Sequence, residues 1–126
     1  MSLTNTFETT VLTWLLTDGS ATRPTAWYVG LFTTDPGETG AGTEVSGGSY
    51  ARTAVTFTVS GDTASNSAGV EFAAATTNWG TITHIGIMDA SSGGNMIVHA
   101  ALTASKTIAD GDVFRIPTGD LDITLN

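Results

Sequence analysis

The chain has 126 residues, 40% of them hydrophobic but only 13% charged, about half the charge of an average globular protein; that suits a single modest core and argues against disorder. Its formal charge of −8 sets twelve acids against Arg23, Arg52, Lys106 and Arg115, so nothing basic is gathered to meet a phosphate backbone or an anionic membrane, and neither nucleic acid nor membrane is expected as a partner. With no cysteine, a disulfide framework and a thiolate metal or redox site are excluded.

The first element expected is a helix over residues 2–18. Leu3, Phe7, Val11, Trp14 and Leu15 recur at helical spacing, and Leu12 and Leu16 widen the stripe. Asn5 with Glu8 has capping-box character, Ser2 is an alternative cap, and Asp18-Gly19 is a natural stop. Such a stripe predicts that the helix covers one face of the following domain; the alternative is that part of it docks on another subunit. No positively charged leader precedes it and no apolar run approaches the roughly 20 residues of a membrane span, so a soluble, complete chain is expected.

Residues 26–126 read as strands and turns. AWYVGLFTT is apolar on both faces, as a central strand is. A polar, Gly-rich stretch over residues 35–49 follows, with Pro36-Gly37 and Gly47-Gly48 fixing its ends and Tyr50 and Arg52 anchoring its return. ARTAVTFTV alternates, with Val55, Phe57 and Val59 on one side, and GVEFAAA places Val70 and Phe72 inward. TITHIGIM and MIVHAAL flank a hairpin connection over residues 89–95, and DVFRI and LDITL close the chain. About seven short strands at this spacing predict a mainly β, antiparallel β-sandwich or jelly-roll-like domain with one N-terminal α-helix.

Motifs for chemistry are absent. No G-x-S-x-G elbow occurs, and Ser46, Ser60, Ser91 and Ser92 all lie in turn contexts. The glycines of GETGAGTEVSGG lack the spacing and the lysine of a phosphate loop. If Met88 pairs with Met96, His84 and His99 point to opposite faces, and a one-residue slip would bring them to one face; two histidines without a third ligand make a poor metal site either way. Asp110 with Asp112, and Asp120 with Asp122, suit turns and match no EF-hand spacing. Trp14 and Trp27 read as core, and Trp79, beside a turn, as an exposed ring able to stack on a sugar. No catalytic residue, cofactor or metal is expected.

The order WYVGLFTTDPGETGAGTEVSGGSYARTAVTF, then SNSAGVEFAAATTNWGTITHIGIMDASSGGNMIVHAAL, then GDVFRIPTGDLDIT, resembles a family of small tailed-phage virion proteins variously described as tail-fibre, minor tail or head-decoration proteins. Its most specific pieces are L-F-T-x-D-P-G at residues 31–37, E-V-S-G-G-x-Y-A-R at 44–52 and T-H-x-G-I-x-D at 83–89. The resemblance implies assembly or surface display instead of catalysis.

The expectation is therefore one non-enzymatic domain in a bacteriophage virion, made in the host cytoplasm and assembled in several copies, a trimer being the guess. The first reading is a capsid decoration or cement protein. The alternatives are a tail-associated fibre, tip or adaptor protein, then a carbohydrate-binding module. Expected partners are copies of itself with the major capsid protein or tail proteins. Expected contact residues are Asp35, Glu38, Glu44, Tyr50, Arg52 and Trp79, the three acids being placed to meet a basic neighbour.

Overall fold

A computed structural model describes residues 1–125. It is mainly β, with three antiparallel sheets and one N-terminal helix. The chain opens with a two-residue strand, β1 (Ser2–Leu3), where the helix was expected to begin. The helix α1 runs over Asn5–Leu16. Neither predicted cap is used: the N-cap is Thr4, with no side-chain capping bond. Its hydroxyl donates instead to the Met96 carbonyl at 2.6 Å, so the buried Thr4 ties the helix base to the sheet. Leu3 accordingly packs against the core as a strand residue and is not part of the helical stripe.

After residues 17–27, which form no regular element, come β2 (Tyr28–Phe32), β3 (Thr53–Ala54), β4 (Phe57–Ser60), β5 (Thr63–Asn66) and β6 (Val70–Glu71). The hairpin β7 (Gly80–Met88) and β8 (Met96–Ile108) follows, then β9 (Arg115–Ile116) and β10 (Asp122–Thr124). The main sheet has the order β1-β8-β7-β2-β3; β10-β5-β4 and β6-β9 form two smaller sheets. The alternating run 51–59 thus divides between sheets at Val55-Thr56. Val55 is buried, whereas Val59, expected on the same inward face, is 74% exposed.

The core lies between the main sheet and the smaller ones. Val29, Leu31, Ile85, Ile87 and Val98 enter it from one side and Val70, Phe72, Phe114 and Leu121 from the other. Beside it sits Asn66, fully buried, whose amide donates to the carbonyls of Ala68 (2.8 Å) and Pro117 (2.9 Å) and accepts from the Leu121 N–H (2.9 Å). Leaving such a group unpaired costs about 1–3 kcal/mol; satisfied, it pins the turn before β10 to the end of β5.

Two irregularities in β8 decide what faces outward. Met88 pairs with Met96 but Ile87 pairs with Val98, so Ile97 is an extra residue. Further on, β7 advances from Ile82 to His84 while β8 runs from Lys106 back to Ala101. An inserted residue shifts every later side chain to the opposite face. His99 consequently stands across from Gly86, and His84 across from Ala101. Both histidines lie on the outer face of the main sheet.

Candidate functional site

The outer face is made by Tyr28, Gly30 and Phe32 of β2, His84, Gly86 and Met88 of β7, and His99 of β8, with Met96 beside them. Gly30 and Gly86 stand opposite each other. A Cβ on Gly30 would lie 3.0 Å from a Glu44 oxygen, and one on Gly86 would lie 2.5 Å from the Met96 methyl. The bare backbone at this pair makes a depression that the Glu44 and Met96 side chains fill.

The polar stretch 35–49 folds over this face. Its return pairs with the end of β2: Thr33 N–H donates to the Thr43 carbonyl at 2.9 Å and Val45 N–H to the Leu31 carbonyl at 3.0 Å, making a bridge between Phe32 and Glu44. At its start, Asp35 Oδ1 accepts from the Gly37 N–H at 2.9 Å, which forms the turn that Asp-Pro-Gly predicts. The loop is built like an additional edge and is not a linker.

Glu44, Tyr50 and Arg52 lock it. Arg52 Nε donates to Glu44 Oε1 at 2.7 Å and Nη2 to Oε2 at 2.9 Å. The guanidinium's third nitrogen, Nη1, donates to the carbonyls of Ala90 (2.8 Å) and Gly93 (2.7 Å), so the same side chain holds the hairpin turn 89–95. Tyr50 Oη donates to Glu44 Oε1 at 2.9 Å and accepts from the Leu31 N–H at 3.0 Å. Burial pushes the Tyr50 hydroxyl well above the ordinary tyrosine value, so it stays a donor. The Arg52 guanidinium is raised chiefly by its hydrogen bonds to Glu44. Glu44 is therefore paired within the chain and does not await a basic neighbour, contrary to the expectation from sequence.

The other two acids have intrachain partners as well. Glu38 Oε1 lies 3.0 Å from His99 Nε2 and accepts from the Ser2 hydroxyl at 3.1 Å, while its carbonyl accepts from the Asn5 N–H at 3.0 Å. Asp35 Oδ1 lies 3.7 Å from His84 Nε2 and remains largely exposed. Sequence reasoning set the two histidines aside, and the bulge at Ile97 is what turns His99 to the face beneath the acidic loop that His84, opposite Phe32, already occupies. No three His, Asp or Glu groups converge to hold a metal among the described residues.

The tryptophans exchange roles. Trp79 is 6% exposed, its ring edge-on to Tyr50 at 5.4 Å and its Nε1–H donating to the Gly48 carbonyl at 2.9 Å. A buried ring offers no sugar platform, so the exposed stacker expected there is corrected. Trp14, read as core, is 63% exposed. It stands on α1, which buries none of its twelve residues; Val11, Leu12, Leu15 and Leu16 are exposed with it. The expectation that the helix covers the β domain is overturned: Val11 only borders a groove of that domain, Trp14 lies beside residues 21–24, and Leu12, Leu15 and Leu16 stay exposed.

The three pieces that carry the phage-protein resemblance thus meet on one face: Phe32, Asp35 and Gly37 from the first, Glu44, Tyr50 and Arg52 from the second, His84, Gly86 and Asp89 from the third. Asp89 Oδ1 accepts the Asn95 N–H at 2.7 Å and closes the turn that Arg52 grips. A scan against family models matches residues 2–124 to Gp80, described as podophage GP4 fiber I protein gp80. The chain belongs to this fiber I protein family. No curated protein matches it. Membership makes it a phage fibre-type structural protein, a virion component, and the clamped loop is the feature its motif residues build. Among the described residues, no helix is long and apolar enough to cross a membrane.

Proposed function

We propose that this protein is a non-enzymatic, multi-copy structural subunit of the phage tail, acting in or beside a fibre and contacting copies of itself and other tail proteins. The match of residues 2–124 to a fiber I protein carries this reading. It supports the tail-associated alternative over the capsid-decoration role that was the first expectation. The side chains support a structural part as well. Glu44, Tyr50 and Arg52, from one of the three most specific pieces, hydrogen-bond one another and the backbone and so fix the shape of a surface loop.

Labelled antibody against the purified protein, applied to intact virions, tests the placement. Signal confined to the tail is the expected result, and signal on the head contradicts it.

A further inference from the structure

The chain folds back on α1 as soon as the helix ends. Thr17 Oγ1 donates to the Thr13 carbonyl at 2.6 Å and accepts from the Gly19 N–H at 3.0 Å. Glycine is required there, because a Cβ on Gly19 would lie 2.6 Å from the Thr13 methyl. Residues 20–24 then run beside the helix, and a cleft of about 420 Å³ opens between them, α1 and the hairpin turn 89–95. That volume falls within the roughly 300–1,000 Å³ of small-molecule sites.

The cleft joins a polar part to an apolar one. Thr6, Thr9, Thr10 and Thr13 line it from the helix, three and four residues apart and so on one side of α1. Asp89 and Asn95 line it from the turn. Asp89 commits Oδ1 to the Asn95 N–H at 2.7 Å, which leaves Oδ2 beside the Asn95 side-chain amide, 3.5 Å away. An acceptor thus stands next to a group that both donates and accepts. Arg23 adds further donors and forms no ion pair among the described residues. Continuous with this part is an apolar pocket of about 290 Å³ that shares Phe7, Thr10, Arg23 and Pro24 with it and adds Trp14. The Trp14 side chain is 63% exposed.

We infer that this cleft binds a neutral saccharide, with Trp14 as its stacking platform. A sugar ring has an apolar C–H face and a rim of hydroxyls, and the cleft offers a surface for each. The exposed indole meets the face; the threonine hydroxyls, the amide, the carboxylate and the guanidinium exchange hydrogen bonds with the rim. Charge selects the neutral class. Among the described residues Arg23 is the one cation lining the cleft, Asp89 offsets it, and the chain as a whole carries −8, so an acidic sugar finds no net attraction. An apolar peptide would cover Asp89 and Asn95 without pairing them, at a cost. Leu12, Leu15 and Leu16 line neither pocket, so the cleft and the apolar side of the helix are separate surfaces. The inference goes beyond a structural role and does not depend on where in the particle the protein sits.

A glycan array printed with neutral, uronic-acid and sulfated oligosaccharides, probed with the amine-labelled full chain, tests it. Retention on neutral oligosaccharides is expected, and the retained sugar, added free, should shift the tryptophan emission. Trp14→Ala should weaken this binding about tenfold, the order of one lost stacking contact, and Arg23→Ala should weaken it as well. Trp14→Phe should restore most of it, and Leu16→Ala, away from the cleft, should leave it unchanged. Trp14, Leu16 and Arg23 are all exposed, so circular dichroism should show an unchanged fold in every variant. Three results would overturn the inference: no neutral oligosaccharide retained, retention confined to acidic ones, or neutral binding that survives Trp14→Ala combined with Arg23→Ala.

Discussion

Arg52 and Glu44 meet through two parallel hydrogen bonds of 2.7 and 2.9 Å, with side chains only 10% and 23% exposed. The same guanidinium grips the turn 89–95, so one side chain joins two loops that are distant in sequence. Arg52→Ala leaves Glu44 half-buried with Tyr50 as its remaining donor and frees two carbonyls. A loss of about 2–3 kcal/mol follows, read from the midpoint of denaturant unfolding. Arg52→Lys keeps the charge but not the fork and should fall between.

Tyr50 gives the protein an alkaline limit. Its folded value is raised, by burial first, above the unfolded value of about 10. The folded state therefore holds the proton more tightly, and this stability is complete below pH about 10 and lost as pH rises beyond it. Thermal melting across that range should fall more steeply for the wild type than for Tyr50→Phe. At neutral pH the variant should be weaker by about 1–2 kcal/mol, having lost the hydroxyl between Leu31 and Glu44.

Trp79 packs against Tyr50 and Phe72, so Trp79→Ala should cost about 3–5 kcal/mol through the cavity it leaves. Calorimetry reads this directly. A variant that melts like the wild type and changes only glycan binding would contradict the burial of the ring.

Asp35 and Glu38 behave differently from Glu44. Both carboxylates are exposed although His84 and His99 are mostly buried, and a contact to so exposed an acid contributes about 1 kcal/mol or less. Asp35→Asn with Glu38→Gln should leave the unfolding midpoint nearly unchanged, whereas Glu44→Gln should lower it. The two exposed acids are thus usable probes of particle contacts, and Glu44 is not. A large loss from the surface pair would show that the histidines, not Arg52, hold the loop.

The sequence made much of this legible. The doubly apolar run around Val29 and Leu31 is the buried central strand, residues 89–95 are a hairpin turn, and Tyr50 and Arg52 do anchor the return of the polar loop. The failures share one physical cause: periodicity shows that a face is apolar, not what covers it. Val59 and Trp14 fit apolar patterns equally well, yet both face outward in a single chain. The histidine placement failed for another reason. Nothing in the order of MIVHAAL marks Ile97 as the extra residue, and that one bulge moves His99 from Ile85 to Gly86. Asn66 was missed because its burial depends on Pro117 and Leu121, more than fifty residues away.

The central claim is that this fibre-type protein is a multi-copy subunit of the tail, with its exposed helix as an apolar surface for contacts with copies of itself or other tail proteins. Phage encoding Leu15→Glu and Leu16→Glu test it most directly, because both side chains are exposed and their loss should spare the β domain. Mass spectrometry of purified virions should then find normal head and tail proteins and little or none of this chain. Wild-type levels of the variant in those particles would contradict the account.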